Sequence, residues 1–492
     1  MIFIGAYPNS FYVAEDDAPP LQLLVRRLKT LVPEAIGLHL LPIHPSSGDN
    51  GFAPNDWFEV DPNFGTWDEI RDLAIQRKLI IDGVYNHVGI KHEFIKGFFA
   101  EPQKYSKYIY AYQDENNIPS PLSPRGGPVL RSYYIEKNRW QIWQTFSDSS
   151  VDIRLTEPAV EEYIHQHLQF LKSQGVWGVR LDGASYYAKK LNVRYSRHYP
   201  ESHMLARKIA TKVIGNGLRV IAQLDCDKFG VEYFPESLGY RIPIADYSYS
   251  AYLAYAILSG EVDALGAHIM KTNTLNETII RCPRTHDGIL LRSQNLDSGM
   301  IEQLVDEAAS YDLHPRIIEG EPYEFNCSLP FLCSLGIKQS EIWDRLKLAI
   351  AITSFLPGWT YLYLPFLLGY IPEHDYDFSN DPRALNRNPI SSLAWQTFVS
   401  SRHHDETRVL LEFLVKQEVD YLEKEDLQIE NGKRYSKGLL VIKRRESKFC
   451  ILANFNSNRS VDVKHLTSGD WLGGWRASSS RIEPFGFGIV RY

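Results

Sequence analysis

Short apolar runs, each preceded by a helical pattern, recur along most of the chain, and this alternation restricts the fold more than any other feature. "MIFIGAY" opens the sequence, and "AIGLHLLPI" (35–43) follows the helical "LLVRRLKTLV". "LIIDGVYNH" (79–87) follows "WDEIRDLAIQRK", "VWGVRLDG" (176–183) follows "AVEEYIHQHLQFLKSQ", and "RVIAQLD" (219–225) follows "HMLARKIATKVI". "YRIPIADY" (240–247), "TIIRCPRTHDG" (278–288) and "WTYLYLPFL" (359–367) complete eight candidate strands. Their continuous apolar character suits parallel strands covered on both faces, and the intervening helices suit βα units. Eight such units predict an α/β fold, a (β/α)₈ TIM barrel. An open doubly wound sheet is the alternative.

Two interruptions divide the chain. Between 88 and 150 the periodicity dissolves into "AYQDENNIPSPLSPRGGPVL", too long for a simple loop, which predicts an inserted loop-rich B domain after strand three. A second irregular stretch, 290–340, reads as an insertion within the barrel after strand seven. From 406 onward "GLLVIKRRESKFCILANFNSNRSVDV" and "FGFGIVRY" read as antiparallel strands. The expected division is therefore 1–87 with 151–405 as the catalytic barrel, 88–150 as the insertion, and 406–492 as a C-terminal β domain.

Charge narrows the partners. A net charge of -7 over 492 residues, with no Lys/Arg run, argues against nucleic acid. No apolar stretch reaches the roughly 18 residues of a membrane span, so no membrane association is expected. The start lacks a basic segment and a small-residue cleavage site, which argues against a signal peptide. Five scattered cysteines (226, 282, 327, 333 and 450) show no metal-type spacing. They read as free thiols in a reducing compartment, hence a cytoplasmic location. The 29 Tyr and 10 Trp are enough to line a sugar site by stacking, although core packing accounts for most aromatics.

In a barrel, chemistry collects where strands end and βα loops begin. Strand three ends in Asp82, Asn86 and His87, strand four in Arg180-Leu181-Asp182, and strand seven in His286-Asp287-Gly288. Alternation puts Arg180 and Asp182 on one face, the barrel interior, where a lone carboxylate is costly without a partner. An Asp at one strand end is more often a helix N-cap than a catalyst. Three such ends in one barrel point to a site.

"DGVYNH", "GVRLDG" and "THDG", in that order, resemble signature segments of the α-amylase-type retaining α-glycosidases. "LHLLPIHPSSGDNGFAPNDWFEVDPNFGTW", "YYAKK", "SPRGG" and "RALNR" resemble the sucrose phosphorylase branch of that family, which includes glucosylglycerol phosphorylases and hydrolases. The resemblance implies that Asp182 is the nucleophile of a covalent glucosyl enzyme and that Asp287 stabilises the transition state. Arg180 would keep Asp182 ionised and aligned, since a nearby cation lowers a carboxylate pKa. His87 and His286 would bind glucose hydroxyls, and Asp49, with Arg387 or Arg383, would close the far end of the pocket. Phe52, Phe146 and Tyr186 would form apolar walls, with Arg125 and Tyr323 as further substrate-binding candidates. No metal and no organic cofactor are implied, because the carboxylates supply the chemistry.

One position departs from the family. A retaining glycosidase needs a second carboxyl group roughly 5–5.5 Å from the first, to protonate the leaving oxygen and then deprotonate the acceptor. The family places a Glu at the end of strand five; here the position falls on Gln223, whose amide can act neither as acid nor as base. Three readings follow: an inactivating Glu-to-Gln replacement, a natural loss leaving a sugar-binding protein, or substitution by Asp225 or Asp227. Asp225 also stands where the phosphorylases carry a phosphate-binding His, and its charge would repel phosphate, while Arg125 matches their loop arginine. Ser150 replaces a Gln that the resemblance places near the leaving group. Together these predict an α-glucoside hydrolase acting on a small polyol glucoside such as glucosylglycerol. A phosphorylase producing α-glucose 1-phosphate and a non-catalytic sugar-binding protein are the alternatives.

Overall fold

Eight strands close into a barrel: β1 (Ile2–Ala6), β2 (Gly37–Leu40), β3 (Leu79–Gly83), β4 (Gly178–Leu181), β5 (Arg219–Asp225), β6 (Ile244–Asp246), β7 (Ile279–Arg281) and β8 (Trp359–Tyr363). Each pairs in parallel with its neighbours and β8 returns to β1, which excludes the open sheet. This computed structural model describes residues 1–12, 18–113, 118–197, 200–225, 242–275, 278–292, 296–310, 313–325, 339–370, 384–416, 426–430, 436–466 and 469–492. Most strands are shorter than the apolar runs that predict them. The run at 359–367 divides into β8 and a short helix, Leu364–Leu367, with Pro365 in its first turn, where the missing N–H costs no hydrogen bond.

Size exchange fills the barrel interior. Phe3, Ile80, Ile280 and Trp359 form an apolar floor, with the Phe3 ring centred 5.3 Å from that of Trp359 and 5.7 Å from that of Trp177. A Cβ on Gly5 would lie 1.7 Å from the Tyr361 hydroxyl, and one on Gly37 would lie 2.2 Å from the Phe3 ring. Glycine on β1 and β2 therefore makes room for the large rings of β8 and β1. Outside, helix Pro20–Leu31 buries Leu21, Leu24, Leu28 and Leu31, and helix Pro158–Ser173 buries Val160, Ile164, Leu168 and Leu171. Both patterns present one apolar stripe to the barrel.

The insertion leaves and re-enters at one place. His87–Gly89 pairs antiparallel with Ser150–Asp152, and a three-stranded sheet (Ala111–Gln113, Leu130–Ile135, Asn138–Trp143) lies between. Asp152 fastens this junction. It accepts hydrogen bonds from the Thr145 N–H, the Thr145 hydroxyl and the Asn86 amide, each at 2.7 Å. It also pairs with Lys189 Nζ at 2.7 Å, both side chains being fully buried.

Two expected boundaries need correction. The stretch 290–340 is not irregular where it is described. It contains helix Ser298–Ala309 and a three-stranded antiparallel sheet of Ile289–Leu290, Arg316–Ile318 and Glu321–Phe325. The boundary at 405/406 falls inside helix Arg402–Lys416, whose apolar stripe (Thr407, Leu410, Leu411, Leu414) is buried. The C-terminal antiparallel sheet begins with Leu427 and runs through Arg491. It is tied to the barrel where Trp475 Nε1 donates to Asp344 Oδ1 at 2.9 Å, on helix Gln339–Phe355. Cys282 and Cys450 are free and buried; the other three cysteines lie outside the described residues. Among the described residues, no helix is long and apolar enough to cross a membrane.

The Asp152–Lys189 pair gives a stability test. Lys189→Met leaves a buried carboxylate without its cation, a loss of about 3–5 kcal/mol. Chemical denaturation should show that loss, and the Lys189→Met/Asp152→Asn double variant should recover part of it.

Candidate active site

Above the apolar floor the next inward side chains are polar and form one chain of contacts. His39 Nδ1 lies 3.3 Å from the Tyr361 hydroxyl and its Nε2 lies 3.2 Å from Asp82 Oδ2. Arg180 donates through one nitrogen to both Asp82 and Asp182, the latter at 3.0 Å. One guanidinium thus serves two buried carboxylates, and their titration divides. Burial raises both, but at Asp82 the charges of Arg180 and His39 outweigh it and hold the carboxyl at about 2. At Asp182 burial dominates, Arg180 offsets only part of it, and the charges of Asp82 and Asp287 add to the rise, to about 7. Here the structure corrects the expectation that Arg180 lowers the Asp182 pKa: its cation is shared.

Asp182 opens on a cavity of about 180 Å³, the space of roughly six water molecules. Such a volume suits one small group rather than a polymer. At the far end Asp49 accepts from Arg387 Nη1 at 3.2 Å and from Arg125 Nη2 at 2.7 Å. Arg387 Nη2 donates to Asp287 Oδ1 at 2.8 Å. The Asp49 end is shaped by a left-handed turn, with φ of 53° at Asp49, 48° at Asn50 and 97° at Gly51, a conformation that Asp, Asn and Gly tolerate best. The Phe52 ring stacks on His286 at 5.2 Å, and Phe146 packs against His87 at 5.1 Å and Tyr186 at 5.3 Å. Both histidines are held neutral. Burial lowers His87 and takes His286 down to about 3. His87 Nε2 carries the hydrogen, because it donates to the Phe52 carbonyl at 2.5 Å.

Gln223 lines the same cavity. Its Oε1 accepts the backbone N–H of Gly183 at 2.8 Å, the peptide immediately after Asp182, and Gly183 occupies the left-handed region with φ 59°. A backbone N–H can only donate, so this bond fixes the amide orientation.

The structure brings Asp49, Phe52, His87, Arg125, Phe146, Asp182, Tyr186, Gln223, His286, Asp287, Tyr323 and Arg387 to this one cavity. Arg180 lies just beneath. Arg383 and Asp227 fall outside the described residues, as does the side chain of Asp225. Ser150 is buried 3.3 Å from the Ser147 hydroxyl and does not line the cavity. Several contributors had no clear sequence signal: His39 inside an apolar run, Lys189, which bonds Asn86 at 2.8 Å, and Arg197, Arg292 and Glu324 at the cavity wall. Among the described residues, no group of three or more His, Cys, Asp or Glu is arranged to hold a metal ion.

Comparison with known proteins places this geometry in a family. Residues 7–218 match the α-amylase catalytic domain, and the chain carries that domain; the match ends just before β5. Among curated proteins, it is 28% identical over 312 residues to the glucosylglycerate phosphorylase of Spirochaeta thermophila, covering 59% of this chain and 51% of that one. The chain thus spans about half the length of that relative. It is 26% identical over 392 residues to the sucrose phosphorylase of Streptococcus mutans, covering 72% and 76%. Among solved structures, sucrose 6F-phosphate phosphorylase from Thermoanaerobacter thermosaccharolyticum superposes with a TM-score of 0.79 at 19% identity, covering 94% of this chain and 95% of that one. At that identity the likeness is one of fold.

The shared cation predicts a coupled titration. In ¹³C-carboxyl NMR of the aspartates, one resonance should titrate near pH 7, and Asp182→Asn should remove it. Asp82→Asn should lower that midpoint, because it deletes a repelling charge and leaves Arg180 to Asp182.

Proposed function

We propose that this chain transfers a glucosyl unit from a small α-glucoside to inorganic phosphate, through a covalent ester on Asp182. The observation that carries this reading is a buried aspartate facing an arginine-rimmed cavity with an amide, not a carboxylate, at Gln223. Water must lose a proton to attack a glucosyl ester, so a water acceptor needs a base beside the nucleophile. Phosphate arrives as an anion and attacks without one. Arg125, Arg197 and Arg292 at the cavity suit an anionic acceptor. The curated relatives above are named as phosphorylases, which supports the same acceptor. The sequence expectation of hydrolysis rested on the charge of Asp225, whose side chain lies outside the described atoms. It therefore gives way to phosphorolysis.

In this reading Asp49, Arg387 and Asp287 form the closed end that holds the glucose hydroxyls, with His87 and His286 as neutral partners. The apolar faces of Phe52 and Phe146 pack on the ring. Asp182 attacks the anomeric carbon from below. Its raised pKa (about 7) means that the empty site holds a mixture of acid and carboxylate at neutral pH. A donor whose developing positive charge lies beside the carboxylate favours the ionised form. The donor remains a small polyol glucoside, with glucosylglycerol as the first to try.

Product analysis with and without phosphate tests the proposal. α-Glucose 1-phosphate should form only with phosphate, and free glucose should form slowly in either case. Equal release of glucose with and without phosphate would restore the hydrolase reading, and binding without turnover would favour a sugar-binding protein. Asp182→Asn should abolish transfer while glucoside binding persists, since the amide keeps the shape and loses the attacking charge. Gln223→Glu should raise hydrolysis by about 10²–10⁴-fold, the usual worth of a positioned base.

A further inference from the structure

Breaking a glycosidic bond requires a proton for the departing oxygen, and Gln223 has none to give. We propose that Glu324 supplies it. This inference rests on the glucosyl-transfer reading above and concerns the acid for that reaction. Four carboxyl groups line the cavity among the described residues: Asp49, Asp182, Asp287 and Glu324. Asp182 is the attacking group. Asp49 is held by two arginines and Asp287 by one at 2.8 Å, contacts that keep both ionised and turned toward the closed end. Glu324 is left.

Its position suits the task. Glu324 lies on strand Glu321–Phe325 of the sheet that follows β7, opposite Leu290 on one side and Arg316 on the other. The sheet begins two residues after Asp287, so it folds back over the catalytic end of the barrel. The carboxyl group sits over Gly288. A Cβ at that position would meet Glu324 Oε2 at 3.1 Å and the Phe325 carbonyl at 2.7 Å. Glycine next to Asp287 is thus what lets this strand bring its carboxyl against the cavity wall. Glu324 is only 1% exposed, yet it borders the cavity, and burial favours the protonated acid that a donor must be. Arg316 Nη1 stands 3.7 Å from Oε1, placed to stabilise the carboxylate left behind.

The proton accounting closes. In the first step an Asp182 oxygen bonds to the anomeric carbon while the bond to the aglycone oxygen breaks. That oxygen keeps the electron pair and takes the Glu324 proton, directly or through one water. In the second step an oxygen of hydrogen phosphate bonds to the anomeric carbon, the Asp182 ester breaks, and the phosphate proton returns to Glu324. Gln223 then has a positioning part: it holds the Gly183 peptide through Oε1 and presents its NH₂ elsewhere.

Two donors separate an acid from a structural residue. An alkyl α-glucoside needs its leaving oxygen protonated, whereas α-glucosyl fluoride departs with little help. With phosphate present, Glu324→Gln should lose about 10²–10⁴-fold on the alkyl glucoside and stay within a few-fold of the parent on the fluoride. Glu324→Asp, which keeps the acid on a shorter stem, should recover part of the alkyl glucoside rate. An alkyl glucoside rate within tenfold of the parent in Glu324→Gln, or equal loss on both donors in variants that keep the parent's circular dichroism, overturns the proposal. If the substitution unfolds the chain, the Asp variant decides by the ratio of its two donor rates, which should fall below the parent's. A parent chain that transfers from neither donor removes the glucosyl-transfer reading itself, and this inference with it.

Discussion

The interior of this barrel is organised around one cation shared by two carboxylates. Arg180 contacts Asp82 and Asp182 through a single nitrogen, and His39 supports Asp82 from the other side. A buried carboxylate is tolerated only with compensation, and one guanidinium cannot fully compensate two. The division is unequal because Asp82 has a second partner and Asp182 does not. Asp82 remains an anchor with a low pKa, while Asp182 keeps an uncompensated share of its desolvation and is ready to react with an electron-poor carbon. The same charge balance that makes the column stable to the depth of Asp82 makes its upper end reactive.

The surrounding architecture serves that column. Glycines at positions 5 and 37 admit Tyr361 and Phe3, which fix the floor and the hydroxyl that meets His39. The insertion is clamped to β3 through Asp152, Asn86 and Lys189, and Lys189 also reaches the carbonyl of Tyr186. One buried ammonium therefore joins the insertion that carries Phe146 and Arg125 to the turn that follows the nucleophile. The cavity walls come from three loops, and their mutual position rests on this pair.

Much of this was legible in the sequence. Continuous apolar runs spaced by amphipathic helices contain a closed parallel barrel, and alternation along "GVRLD" puts Arg180 and Asp182 on one face before any coordinates are seen. The residues that gather at the cavity were found because strand ends converge in a barrel. What stayed hidden was set by tertiary contact. Sharing of Arg180 depends on β3 lying beside β4 in register, Asp82 opposite Arg180, and spacing along one strand cannot reveal that. Glu324 lies in a stretch without periodicity, so its strand and its approach to Gly288 have no local signature. The helix across 405/406 has a stripe like any other, but the charged run "RHHDE" at its start masks it.

The amide at 223 acquires a physical logic once its bond to Gly183 is considered. A carboxylate there could also accept that N–H, but it would add a third negative charge near Asp182 and Asp82, with one guanidinium among them, and push Asp182 higher still. An amide accepts the same hydrogen bond and adds no charge. Removing the charge eases ionisation of the attacking group, and it takes away the proton donor that a glycosidic oxygen needs. A site with this arrangement works best when its acceptor is already anionic and when the acid comes from another loop. The arginines at the cavity and the buried Glu324 beside Gly288 meet those two conditions from the insertion after β3 and the sheet after β7, while the barrel strands themselves retain only the nucleophile and its shared cation.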